Sequence, residues 1–190
     1  DLMNNPAYLR GAIHYLADTK KGKCMSVMMP YSDGLRDVAD WYRQLLAESL
    51  GKRYSLDGQE VFTGQTPIKA LGATDQHSQV QLYCEGPNDK LFNVLEVAKF
   101  DKTLKVPDVL SEISEFDYLR GKTMNKLMAA ETRGTIDALK SAQRPVIRVV
   151  LPRLNENTLA QLLYMFEVEI ALAGRLYNVQ TFDQPGVEEG

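Results

Sequence analysis

Along the chain, apolar side chains switch repeatedly between helical spacing and short unbroken runs. Residues 5–18 place Tyr8, Leu9, Ala12, Ile13 and Leu16 at i, i+3 and i+4 intervals, which predicts a leading helix. Lys20, Lys21 and Lys23 put cations at its negative end, and Gly22 offers a stop. Residues 24–29 form an apolar run ended by Pro30, as suits a strand buried on both faces. Ser32 or Asp33 then caps a helix with Leu35, Val38, Ala39, Tyr42, Leu45, Leu46 and Ser49 on one stripe, closed by Gly51. A loop marked by Gly58, Gly64 and Pro67 leads to a brief strand at 68–72. A helix opens at Thr74 or Asp75 and runs to about Cys84.

After a turn at 85–89, residues 91–97 read as another strand, and 100–121 as an acidic, irregular stretch. Residues 124–142 predict a long helix with Met124, Leu127, Met128, Thr135, Ala138, Leu139 and Ala142 on one face. Pro145 breaks it, and 146–152 is the clearest strand of the chain. Asn155 or Asn157 caps a last helix bearing Leu159, Leu162, Leu163, Phe166, Ile170, Ala173 and Tyr177. Strands alternating with helices predict an α/β fold, a three-layer αβα sandwich around a mainly parallel sheet, with residues 1–190 as a single domain. Right-handed crossovers gather the strand C-terminal ends at one edge. The loops after Met29, Leu71 and Leu151 are therefore where a ligand is expected.

The chain has 190 residues and a formal charge of −3, so nothing in it attracts nucleic acid or an anionic membrane as a whole. An anionic ligand must be met by local groups. Cys24 and Cys84 lie among apolar residues without paired spacing and read as reduced, buried thiols. With His14 and His77 as the only histidines, no metal site is expected. No run approaches the ~20 apolar residues of a membrane helix, and no basic-then-apolar signal segment is present, so a cytoplasmic location is expected. Asp1 at the start and residues 187–190 at the end read as the limits of a piece of a longer protein.

Three positions invite chemistry. Glu48 lies off the apolar stripe of its helix, one turn before Gly51, where the negative end of the helix dipole suits a group that takes up a proton. A solvated surface glutamate is the other reading. His77 falls in the first turn of its helix among Asp75, Gln76, Ser78 and Gln79, where a neutral ring could trade protons; a satisfied structural histidine is the alternative. Glu131 stands on an otherwise apolar helix face and reads as a partnered structural carboxylate. Lys52 and Arg53 could meet a phosphate or simply be solvated, and no glycine-rich phosphate loop is present.

Three segments together resemble the glucose-6-phosphate isomerase family. Residues 47–52, Ala-Glu-Ser-Leu-Gly-Lys, resemble the Glu-Ser-x-Gly-Lys motif that holds the family's catalytic glutamate. Residues 72–78, Gly-Ala-Thr-Asp-Gln-His-Ser, resemble the segment that holds its catalytic histidine. Residues 182–190, Phe-Asp-Gln-Pro-Gly-Val-Glu-Glu-Gly, resemble the closing signature. The resemblance implies a sugar-isomerase (SIS) type domain, the second, C-terminal one of a two-domain enzyme that interconverts glucose 6-phosphate and fructose 6-phosphate without metal or organic cofactor. It implies Glu48 as the base that moves a proton between C2 and C1 through a cis-enediol. It makes His77 the aid to ring opening, reaching into the partner subunit's site of a homodimer, and Gln184 a substrate contact.

Departures from the family pattern limit what this piece is expected to do alone. The lysine that completes the closing signature would follow Gly190, and the phosphate-binding loop and a charge-stabilising arginine come from the family's first domain. Leu50 stands where many members have Asn, and Pro185 where many have Trp. The piece is expected to fold but to turn over no substrate. A non-catalytic sugar-phosphate-binding domain and a flavodoxin-like domain are the competing readings.

Overall fold

The computed structural model describes residues 4–108 and 112–188. Asp1, Glu189 and Gly190 of the sequence reading lie outside the described residues. The elements are α1 (Pro6–Lys21), β1 (Met25–Pro30), α2 (Arg36–Leu50), β2 (Lys52–Tyr54), β3 (Glu60–Thr63), β4 (Thr66–Lys69), α3 (Gln76–Glu85), β5 (Lys90–Val97), α4 (Met124–Ser141), β6 (Val146–Leu151), α5 (Glu156–Tyr177) and α6 (Pro185–Glu188). A single 3-10 turn occupies Asp33–Leu35, and a six-residue 3-10 stretch occupies Ser114–Leu119.

Four strands pair in the order β4-β1-β5-β6, all parallel, with Val27 opposite both Ile68 and Phe92. Covered on both faces, β1 and β5 bury nearly every side chain, which is why they read as unbroken apolar runs. One face carries α2 and α5, whose Leu46, Tyr42, Phe166 and Ile170 pack with Met28 and Leu95. The other carries α3 and α4, whose Tyr83, Ile136 and Leu139 pack with Val27, Phe92 and Val94. The α/β sandwich expected from the sequence is thus the architecture found. Two of the expected caps form, Asn155 at α5 through a reciprocal box with Thr158 and Gly22 ending α1 in the left-handed conformation at φ 64°. By contrast, α2 starts from Leu35, and neither Ser32 nor Asp75 accepts a capping bond.

The leading helix turns a different face inward from the one its apolar residues predict. Ala7, Arg10, Gly11, His14 and Ala17 are buried, whereas Tyr8 and Leu16 are 38% and 49% exposed. The reason is a polar cluster under the helix. Arg10 Nε donates to Glu169 Oε2 at 2.5 Å, and its Nη2 to Asn93 Oδ1 at 2.9 Å. Tyr42 donates its hydroxyl to Glu169 Oε1 at 3.0 Å, and burial pushes that hydroxyl's pKa well up, so it remains a donor. His14 lies between Gln65 Oε1 at 2.8 Å and Asn93 Oδ1 at 3.1 Å. Most of these groups pair with one another away from water, while Arg10 Nη1 finds no hydrogen-bond partner among the described residues.

Two other expectations are corrected. The stretch between α2 and β4 is no plain loop: β2 and β3 form an antiparallel hairpin, and β4 begins at Thr66 rather than 68. Its strands are three and four residues long and mostly exposed, too short and too wet to show an apolar alternation. Cys24 is exposed and Cys84 half-buried, because both lie at element ends rather than in the core.

Candidate functional site

Glu48 occupies the last turn of α2. The helix starts beyond the C-terminal end of β1 and runs back beside it for 15 residues, roughly 22 Å. Its end therefore meets the opposite edge of the sheet, beside the start of β4. A side chain on Gly64 would come within 2.9 Å of the Leu50 carbonyl there. Ligands are expected along the strand C-terminal edge, whereas Glu48 lies at the opposite edge, because a crossover helix carries its last turn to the far side.

At this end the half-buried Glu48 carboxylate is held by two amides. Gln44 Nε2 donates to Oε1 at 3.1 Å, and Gln184 Nε2 donates to Oε2 at 3.0 Å. Trp41, Leu45, Thr181 and Phe182 complete the walls of a cleft of about 310 Å³. Two of the expected site residues, Glu48 and Gln184, are thus brought together across 136 positions of sequence. Gln44 escaped the sequence reading. The available signal was its position one helical turn before Glu48, on the same face.

Of the basic pair after α2, Lys52 is engaged inside the protein and Arg53 makes an exposed ion pair with Glu60. Lys52 is buried, with Nζ 2.9 Å from the Glu48 carbonyl and 3.1 Å from Asp183 Oδ1. Arg53 Nε donates to Glu60 at 2.8 Å.

His77 is not part of this cleft. It is exposed in the first turn of α3, on the other face of the sheet and at the strand C-terminal edge. The turn that carries it is firmly built. The Asp75 carboxylate accepts the Leu71 N–H at 2.7 Å and the Ser78 hydroxyl at 3.2 Å. Gln76 Nε2 donates to the Tyr31 hydroxyl and to Thr135 Oγ1, both at 2.8 Å. Gly72 presses on the Tyr31 ring so closely that a Cβ there would lie 2.5 Å from it, which explains a glycine at the head of the motif. Glu131, expected to have a partner, is half-buried, and its carboxylate has none among the described residues; only its main-chain carbonyl faces Gln76 Nε2, at 3.4 Å.

A second cavity, of about 240 Å³, opens at the C-terminal ends of β1 and β5. Its walls include Tyr31, Glu96, Lys99, Thr123 and Asn125. The strand order reverses between these two strands, the place where ligands bind in open parallel sheets. Among the described residues no group of His, Cys, Asp and Glu side chains could hold a metal ion. No helix among them is long and apolar enough to cross a membrane.

Comparison with known proteins bears on the whole chain. A glucose-6-phosphate isomerase of Carboxydothermus hydrogenoformans is 51% identical over 190 residues, covering 100% of this chain and 41% of the relative. A probable glucose-6-phosphate isomerase of Methanococcus maripaludis is 42% identical, covering 100% of this chain and 40% of the relative. The chain thus spans about two fifths of the length of the curated relatives it matches. A hypothetical protein of Thermus thermophilus superposes with a TM-score of 0.88 at 35% identity, over 97% of this chain and 43% of that one. A glucose-6-phosphate isomerase of Chlamydia trachomatis shares the fold, with a TM-score of 0.83 at 20% identity over 98% of this chain and 37% of that one. Residues 4–190 match the phosphoglucose isomerase family, and the chain belongs to it.

Proposed function

We propose that this chain is the C-terminal, SIS-type domain of a longer glucose-6-phosphate isomerase, with Glu48 and Gln184 forming its contribution to the site. The observation that carries the reading is the Glu48 carboxylate fixed by Gln44 and Gln184 at the wall of an open cleft, in a chain of this family. Glu48 takes the C2 proton of the open-chain aldose as its C–H electron pair forms the C1=C2 bond and O1 gains a proton. Glu48 then returns its proton to C1 while the O2 hydroxyl loses one and C2=O forms. Atoms and electrons balance within the sugar, so the step needs no oxidant and no cofactor.

The amides define which lone pairs of Glu48 remain available. Each oxygen accepts one amide hydrogen and keeps capacity for a substrate proton. Gln184 is exposed and can turn part of its amide toward a sugar hydroxyl. The cleft alone is at the lower end of the range for ligand pockets, and neither Lys52 nor Arg53 lines it. A phosphate anchor and the remaining charge-stabilising groups would then come from the first domain of the same chain. His77, on the other face and edge, would serve the site of the second subunit of a homodimer. A cytoplasmic location accords with this role.

The test is a coupled assay of interconversion by the intact protein in D2O. Conversion with deuterium entering at the migrating position is expected, since a proton held on Glu48 between C2 and C1 can exchange with solvent. The 190-residue chain alone is expected to show no turnover, because loss of even one charge-stabilising donor costs roughly 10²–10³ in rate. A folded intact protein that binds the sugar phosphate without converting it would overturn the catalytic reading in favour of binding alone.

A further inference from the structure

The geometry points to Lys52 as a positioning residue that locks the segment bearing Gln184 onto the helix end bearing Glu48. This rests on the reading of those two residues given above and assigns a role to a third. Lysine is almost never buried without a partner, and here its side chain is only 5% exposed. An ammonium group has three donors, and three acceptors surround this one: the Glu48 carbonyl at 2.9 Å, the Asp183 carbonyl, and Asp183 Oδ1 at 3.1 Å. Two of the three belong to the residue just before Gln184, and the third is the main chain of Glu48 itself.

The segment needs such a lock. After α5 ends at Tyr177, residues 179 and 181 are still anchored. The Val179 N–H bonds the Gly174 carbonyl at 2.9 Å, and Thr181 packs where a Gly174 side chain would stand, 1.9 Å from a Cβ. From Phe182 to Val187 every residue is exposed. Among the described residues, this stretch is tied to α2 and β2 by two links, the Lys52 clamp and the Glu48–Gln184 hydrogen bond. The clamp also occupies one of the unpaired carbonyls at the end of α2, which would otherwise need water. A displacement of about 1 Å at a reacting group can cost ~10²-fold in rate, so the clamp bears on catalysis without touching substrate.

The experiment compares Lys52→Met and Asp183→Asn with the wild type in the intact protein, by isomerase kinetics and by chymotryptic cleavage after the exposed Phe182. Lys52→Met is expected to lower kcat by about 10²-fold. It should also raise KM, because Gln184 moves with the segment, and speed cleavage after Phe182 by about tenfold. Asp183→Asn keeps the carbonyl acceptor and is expected to fall between the two. Wild-type constants in both variants would overturn the inference, as would a kcat that falls only with the folded fraction while KM stays put. If Lys52→Met does not fold, Asp183→Asn decides on the same criteria. If the wild type itself has no isomerase activity, the functional reading fails, and cleavage after Phe182 alone judges the clamp: unchanged rates would refute it.

Discussion

Replacing Glu48 by Gln in the intact protein is expected to lower kcat by about 10²–10⁴-fold, the usual worth of a general base, with KM changed little. The substitution is nearly isosteric. The Gln44 amide can still donate to the new carbonyl oxygen, and the Gln184 amide can turn over to accept from the new NH2 group. The cleft walls and the clamp by Lys52, which uses the main chain of residue 48, are left in place. What disappears is the capacity to hold the migrating proton. Steady-state kinetics beside a binding measurement separate the cases. Equal loss of binding and rate would assign Glu48 to substrate binding, and an unchanged kcat would remove it as the base.

The largest effect on stability is expected at Arg10. Changing it to Met leaves Glu169, itself 1% exposed, with its negative charge buried and only Tyr42 and His14 beside it. Breaking a buried ion pair from one side costs about 3–5 kcal/mol. That is a large part of the roughly 5–15 kcal/mol that holds a domain folded. For a chain of this size it corresponds to a drop in Tm of roughly 10 °C. Changing Glu169 to Leu in the same chain should recover part of the loss, since the uncompensated charge is then gone. Thermal unfolding of the single and double variants checks this, and a double variant as unstable as the sum of its singles would show that the two side chains act independently.

The same cluster shows where sequence reading runs out. Strands β1 and β5 and the stripes of α2 and α5 were legible because their apolar runs and periodicity report burial directly, whereas the apolar run of β6 marks a strand of which only Leu151 is buried. In α1 it misled, because Arg10 and His14 point inward toward partners that lie 51 to 159 positions away. No local pattern encodes a partner at that distance. Glu48 and His77 could be named from short motifs, yet their separation could not be read from them. The length and direction of α2 decide the edge, and the strand order decides the face. Gln44 was within reach, one turn from Glu48, but a lone glutamine on an exposed helix face carries no signal until the carboxylate beside it is assigned a task.

Glu48 at one edge of the sheet and His77 on the opposite face and edge have a genetic consequence. One copy of this fold cannot present both groups to a single sugar, so in the proposed dimer each site would be a composite of two subunits. Two defective alleles, Glu48→Gln and His77→Asn, would then complement each other. In a mixed dimer one site inherits both lesions and the other inherits neither. Random pairing makes half of the dimers mixed, so about a quarter of wild-type activity should return from two inactive parents.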